Sequence, residues 1–125
     1  MLYSKGVGGG KFGLERLIEL ICSNPAKIFG LYPRKGVIAV GSDADLVLVD
    51  PEAEVTVQAA QLHSRADYDP FEGWRVRGWP VVAISRGEVI AKDRKVTAEP
   101  GRGQFIARAP FNPRWRDWSS GQRCQ

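Results

Sequence analysis

The sequence predicts an α+β chain in which short N-terminal helices lead into a group of short strands and then into an extended C-terminal tail. Three observations carry this. Leu14, Leu17, Ile18 and Ile21 recur at helical spacing, with Glu15, Arg16 and Glu19 on the opposite face. Leu46–Val49 and Val81–Ser85 are apolar runs of strand length bounded by turn residues. From Glu99 the chain reads EPGRGQFIARAPFNPRW, whose three prolines and two glycines argue for an extended tail. The divisions fall at residues 1–36 (helical), 37–100 (strands) and 101–125 (basic tail).

Met1 to Gly10 is glycine-rich and poorly patterned, so it reads as a loop anchored by something upstream. The first amphipathic helix follows. Ser23 or Asn24 then reads as an N-cap, with Pro25 in the first turn of a short second helix, where its missing N–H costs nothing. Gly30 is placed to stop it. Val37 to Val40 reads as a sheet-edge stretch, and the GSDAD segment, Gly41 to Asp45, as a tight turn into the strand Leu46–Val49. Pro51 ends that strand, and Val55 and Val57 alternate as in a half-exposed strand. Gln58 to Gly73 reads as a long loop. Trp74, Val76 and Gly78 lead into Val81–Ser85, Arg86-Gly87 makes a turn, Glu88 to Ala91 returns as a hairpin partner, and Lys92 to Val96 reverses once more.

Composition narrows the functional classes. A chain of 125 residues, 43% hydrophobic and 26% charged, is ordinary globular material, but it falls well short of the roughly 250 residues of an eight-stranded α/β barrel. Cys22 and Cys124 are far apart and form no disulfide framework, and no apolar run reaches signal-peptide or membrane-span length. A soluble, reducing, cytoplasmic setting follows as the expectation. The formal charge of +4 sits in the tail, where Arg102, Arg108, Arg114, Arg116 and Arg123 face only Asp117. Trp115 and Trp118 beside these arginines could stack on bases, but a solvated or subunit-clasping tail is the commoner use of such a segment, so nucleic acid is not the expected partner.

Sites of chemistry are few. His63 is the only histidine, so no HxH pair exists, and it reads as a loop residue. Asp43 and Asp45 would share a strand face and could approach a cation, yet between Gly41, Ser42 and Ala44 they read as turn residues that bond N–H groups and set the strand entry. Gly101 to Gly103 lacks the following helix of a phosphate loop. DYDPFEGW, Asp67 to Trp74, reads as a packed aromatic anchor in the long loop. No catalytic, cofactor-binding or metal-binding residue is assigned.

Several motifs resemble one family. LYSKGV, LIELICSNPAKIFGLYPRKG, GSDADLVLVD, DYDPFEGW, VRGWPVVAISRGEVI and GRGQFIAR together resemble the C-terminal segment of a cyclic amidohydrolase of the dihydropyrimidinase and D-hydantoinase group, over about Leu2 to Arg108. The resemblance implies that residues 1–36 are the end of a barrel, with its last helix. It implies that residues 37–100 are a β-sandwich remnant completed by strands from elsewhere in the enzyme, with Asn24, Pro25, Gly41, Asp43 and Asp45 as structural motif residues. It also implies a parent hydrolase that opens cyclic amides with two zinc ions bridged by a carbamylated lysine, and a homotetramer contacted partly through this end, with Phe105, Phe111, Trp115 and Trp118 as subunit contacts. Those zinc ligands have no counterparts here. The expected partner is therefore a barrel domain of a hydantoinase-like enzyme, or a second copy, and the chain alone is expected to be inactive. The alternative is a non-catalytic interaction or oligomerisation module. A truncated or split reading frame starting at an internal methionine is the expected origin. Exposing the helix face of Leu14, Leu17, Ile18 and Ile21 would forfeit roughly 6–12 kcal/mol, comparable with the whole stability of a domain.

Overall fold

The computed structural model describes residues 1–113. A helical lead packs beside one four-stranded antiparallel sheet. The lead opens with a π-helical turn, Leu2–Val7, where a glycine-rich loop was expected. Packing that no local pattern reveals makes the turn. Gly6 is buried under the Phe12 ring, whose Cζ lies 2.2 Å from where a Cβ would stand. The turn is also anchored on this chain's own sheet: Ser4 Oγ accepts the Arg77 N–H at 3.0 Å, and the Tyr3 ring fills the space a side chain at Gly78 would need.

Helix α1, Leu14–Ile18, runs through a π-helical turn, Glu19–Ser23, directly into α2, Asn24–Ile28. The expected cap at Ser23 or Asn24 does not form: both residues have helical backbone angles, and Ser23 makes no side-chain cap bond. Pro25 explains the alternative. Its ring and its missing N–H disturb the α-type bond to the preceding turn, and the wider π-helical turn absorbs that disturbance without breaking the helix. Gly30 ends it as expected, at φ 67°, with Leu31 N–H bonding Ala26 O at 2.8 Å.

Residues 37–40 join no strand, contrary to expectation, and leave Ile38 and Val40 open to solvent. Bonds on either side hold this stretch off the sheet: Asp43 N–H donates to Arg34 O at 2.9 Å and Ser42 Oγ donates to Pro33 O at 2.8 Å. The sheet then follows in chain order: β1 Leu46–Thr56, β2 Arg75–Ser85, β3 Glu88–Lys92 and β4 Lys95–Val96. Pro51 does not end β1. The register with β2 slips between Asp50 and Glu54, so the proline sits in an irregularity on an edge strand, where no ladder donor is needed.

Both hairpins turn on two residues with positive φ, Arg86 (50°) with Gly87 (82°), and Asp93 (49°) with Arg94 (65°). That is the twist-matched hairpin geometry. The core is small: Val55, Val57 and Val76, with Met1, Leu62 and Trp79 packed against them. Residues 99–112 form neither helix nor strand. Among the described residues no second sheet faces the first.

Candidate functional site

The expected motif residues Asp43 and Asp45 lie where three segments meet. Lys35 Nζ stands between them, 2.8 Å from Asp43 Oδ2 and also paired with Asp45 Oδ2. Arg34 Nε reaches Asp43 Oδ2 at 3.0 Å, and Asp45 Oδ1 accepts the Arg86 N–H at 2.8 Å from the β2–β3 turn. Gly87 N–H donates to Ala44 O at 3.0 Å. Gly41, at φ 90°, turns the chain so that both carboxylates point back at the Arg34-Lys35 connection. The joint therefore ties the end of the helical lead to the sheet hairpin.

Its electrostatics are those of a satisfied structural pair. The hydrogen bond from Lys35 holds both carboxyls below the ordinary range against a smaller desolvation cost, with Arg34 assisting at Asp43 and the Arg86 N–H at Asp45. Lys35 is raised above the ordinary lysine value: burial opposes its charge, and the hydrogen bonds to Asp43 and Asp45 together outweigh that. The ammonium thus takes the place between the carboxylates that a cation would need. His63 is spoken for as well, its Nε2 lying 3.0 Å from Arg94 O. Among the described residues no three His, Cys, Asp or Glu side chains come together around a point, so they do not fit a zinc pair.

Pro25 lies in the first turn of α2 as expected, while Asn24, one of the two cap candidates, is that helix's first residue. Phe105 stands 94% exposed, and Phe111 lies near the end of the described residues. Trp115 and Trp118 lie outside the described residues. The 67–74 loop is not packed as expected: Phe71 and Trp74 meet edge to face at 5.6 Å, but both remain partly open and Tyr68 is 73% exposed. Lys5 Nζ stands over the Trp74 ring, 5.7 Å from its centroid.

Sequence reasoning missed Arg102. Counted there as one of five tail cations, it bonds Ser85 O at 2.9 Å and Glu88 Oε2 at 2.7 Å, and Arg86 reaches back to Arg102 O. Further on, Ala109 N–H donates to Gly30 O at 2.8 Å. Residues 102–109 therefore form a strap from the β2–β3 turn to the end of α2. A charge balance between Arg102 and Glu88 was the only signal available, and it is not a local one.

Much apolar surface is left uncovered. On α1 and the turn after it, Leu17 is buried but Leu14, Ile18 and Ile21 are about half exposed. The near end of the sheet is largely apolar on both faces, with Lys92 opposite Val82 and Glu88 opposite Ser85 at its margins. Leu46, Leu48, Val82, Ile84 and Val89 share one, and Val47, Ala83, Ala91 and Val96 share the other. Leu48 is 49% exposed on the first and Val47 61% on the second. No helix among the described residues is long and apolar enough to cross a membrane.

The pattern of the amidohydrolase family matches residues 1–90. The chain belongs to the amidohydrolase family. It is 46% identical over 113 residues to a D-phenylhydantoinase of Escherichia coli O1:K1, covering 90% of this chain and 24% of that protein. It is 46% identical over 111 residues to an L-hydantoinase of Paenarthrobacter aurescens, covering 89% and 24%. The crystal structure of a dihydropyrimidinase from Brevibacillus agri NCHU1002 superposes with a TM-score of 0.86 at 39% identity, over 89% of this chain and 24% of that one. The amidohydrolase chain thus spans about a quarter of the length of the relatives it matches. A D-enzyme and an L-enzyme match it equally well, so stereochemical preference is not legible in this quarter.

Proposed function

We propose that this chain is the C-terminal segment of a zinc-dependent hydrolase that opens cyclic amides at a hydantoin or dihydropyrimidine ring C–N bond, that it carries no metal site itself, and that it acts by completing a barrel-bearing polypeptide. In this reading residues 1–36 close the barrel, residues 37–100 form one layer of a β-sandwich whose second layer comes from the rest of the enzyme, and residues 101–125 reach a neighbouring subunit. One observation supports it most strongly: nine-tenths of the chain matches a quarter of the hydantoinases, and the surface left uncovered here is apolar on both sheet faces and along the helix. A self-sufficient sheet would keep one face polar.

Complementation tests this. The E. coli D-phenylhydantoinase lacking the quarter matched by this chain is co-expressed with the full 125-residue chain. Co-purification with recovered hydantoin hydrolysis is the expected outcome. Ring opening by the purified chain alone, with zinc added at neutral pH, would refute the reading.

A second reading, a non-catalytic oligomerisation module, draws on Phe105, which stands open on a strap held at both ends. It expects self-association to weaken on deletion of Pro110 to Gln125 and on Phe105→Ala. Unchanged sedimentation of both variants would end it.

A further inference from the structure

The long connection between β1 and β2 is clamped at both ends and unsupported in the middle. At its ends Val57 N–H donates to Trp74 O and Gly73 N–H to Val57 O, both at 2.9 Å, and the Glu72 carboxylate accepts the Ala59 N–H at 2.6 Å. A 3-10 turn, Ala59–Gln61, extends the first clamp to Leu62, whose N–H reaches Ala59 O at 3.0 Å. From His63 to Tyr68 no backbone group bonds another backbone group. The bonds that remain are His63 Nε2 beside Arg94 O and, within one bend, Ser64 Oγ accepting the Ala66 N–H at 3.1 Å. Residues 63–68 are all exposed.

Arg65 stands in the middle of this stretch, and its side chain makes no ion pair or hydrogen bond among the described residues. The other cations in irregular backbone are engaged. Arg34 and Lys35 are held by Asp43 and Asp45, and Arg102 by Ser85 O and Glu88. Arg94 lies over the Trp79 ring, 5.4 Å from its centroid, and bonds Gln61 Oε1 at 3.2 Å. The amide that follows Arg108 donates to Gly30 O. A protease must draw several consecutive residues into its cleft in extended form, so backbone without bonds of its own opens at least cost. A protease whose specificity pocket ends in a carboxylate also needs a free cationic side chain beside the scissile bond. Arg65 meets both conditions.

We infer that the Arg65–Ala66 bond is a processing site for an endoprotease of trypsin-like specificity, and that cleavage there leaves residues 1–65 and 66–125 docked as a two-piece protein. One water is added across the bond, giving a carboxylate on Arg65 and an ammonium on Ala66, both at exposed positions that need no buried partner. The contacts that keep the pieces together cross the cut at several places. The β1–β2 ladder joins one piece to the other, and the core draws Val55 and Val57 from the first and Val76 and Trp79 from the second. Ser4 Oγ accepts the Arg77 N–H, Asp45 Oδ1 the Arg86 N–H, and Gly30 O the Ala109 N–H. None of these passes through residues 63–68. The inference stands apart from the hydrolase reading, because it concerns the backbone of this chain alone.

Limited digestion of the full chain with a trace of trypsin tests it, with fragment masses read over time and compared within residues 1–113. Cleavage at Arg65 is expected at least about tenfold faster than at any other lysine or arginine of that range. The nicked protein should run as one species in native size exclusion and as two pieces in denaturant. Arg65→Gln should slow the first internal cut at least about tenfold while leaving the denaturant midpoint unchanged, since the side chain touches nothing. A first cut at Lys27, Arg75 or any other position of residues 1–113 would overturn the site. Pieces that separate without denaturant would overturn the two-piece state.

Discussion

The two ends of the sheet bury their residues differently. At the far end, where β1 finishes and β2 begins, Val55, Val57 and Val76 sit under Met1, Leu62 and Trp79, while Arg75, Arg77, Glu52 and Glu54 are exposed. That end is already a complete half-buried sheet: one face apolar and covered, the other charged and wet. At the near end, where β1 starts and β2 meets β3, both faces carry apolar residues that are only partly covered: Val47, Leu48, Val89 and Val96 are exposed, while Val82, Ala83 and Ile84 are half-buried. One strand pair is thus finished at one end and unfinished at the other. The difference lies in what the chain carries to each place. The lead anchors Tyr3 and Ser4 on β2 near the far end, and nothing within the described residues reaches across the near end except the strap from Arg102 to Ala109.

The largest expected effect breaks this contrast directly. Val76 is 4% exposed, so Val76→Asp buries a carboxylate with no partner and should cost about 3 kcal/mol or more. The same change at Val47, on the unfinished end, should alter the stability of the isolated chain by less than about 0.5 kcal/mol. Denaturant midpoints of the two variants check it. Equal destabilisation would mean that the near end is covered after all, and once the complementing polypeptide is bound Val47→Asp should become the costly one.

A middle-sized effect probes the strap. Gly30 has φ 67°, and a Cβ there would stand 1.9 Å from Ala109 O. Gly30→Ala therefore adds backbone strain of about 1 kcal/mol and forces the strap off the end of α2. Faster amide exchange at Ala109, with the hydrogen bonds of the β2–β3 turn intact, is the expected signature. If exchange there is unchanged, the strap does not depend on Gly30, and the near end is held by the Asp45 joint alone.

How much of this was legible follows the same divide. The hairpin at Arg86-Gly87, the reversal before Val96, the long loop and the helix stop at Gly30 were readable because each depends on a few neighbouring residues whose φ or periodicity is local. The unbroken passage through Ser23 and the turn at Leu2–Val7 were not. The first depends on a helix tolerating Pro25 by widening, and the second on Phe12 and β2 closing over Gly6 and Gly78. The pairing of Asp43 and Asp45 was expected to involve turn N–H groups. Asp45 does take one, from Arg86, but the decisive partner is Lys35, ten residues before it, which no turn rule supplies. The missing cover of the near end was legible only through the resemblance, since an apolar run reads the same whether its cover is present or not.

The smallest effect concerns the joint that holds the unfinished end in place. Asp43 and Asp45 are both depressed below the ordinary carboxylate range, chiefly by the hydrogen bond from Lys35. A depressed carboxylate binds its proton more readily in the unfolded chain. Its stabilisation is therefore fully present above the ordinary aspartate value of about 4 and is lost as the pH falls through the lower folded value. Lys35 is raised, so its share is present below the ordinary lysine value and disappears only as the pH rises through the higher folded one. Near neutrality all three charges contribute. Asp45→Asn keeps an acceptor for the Arg86 N–H but removes one charge beside Lys35, and because the side chain is about a third exposed the loss should stay below about 1 kcal/mol. What separates a local joint from a general ion pair is where the loosening appears. Acid below the ordinary aspartate value of about 4 and Asp45→Asn should both lower the amide protection at Arg86 and Gly87 while leaving Val55 and Val76 protected. Loosening of the Val55 and Val76 amides in step with the turn would show that the two ends of the sheet unfold as one.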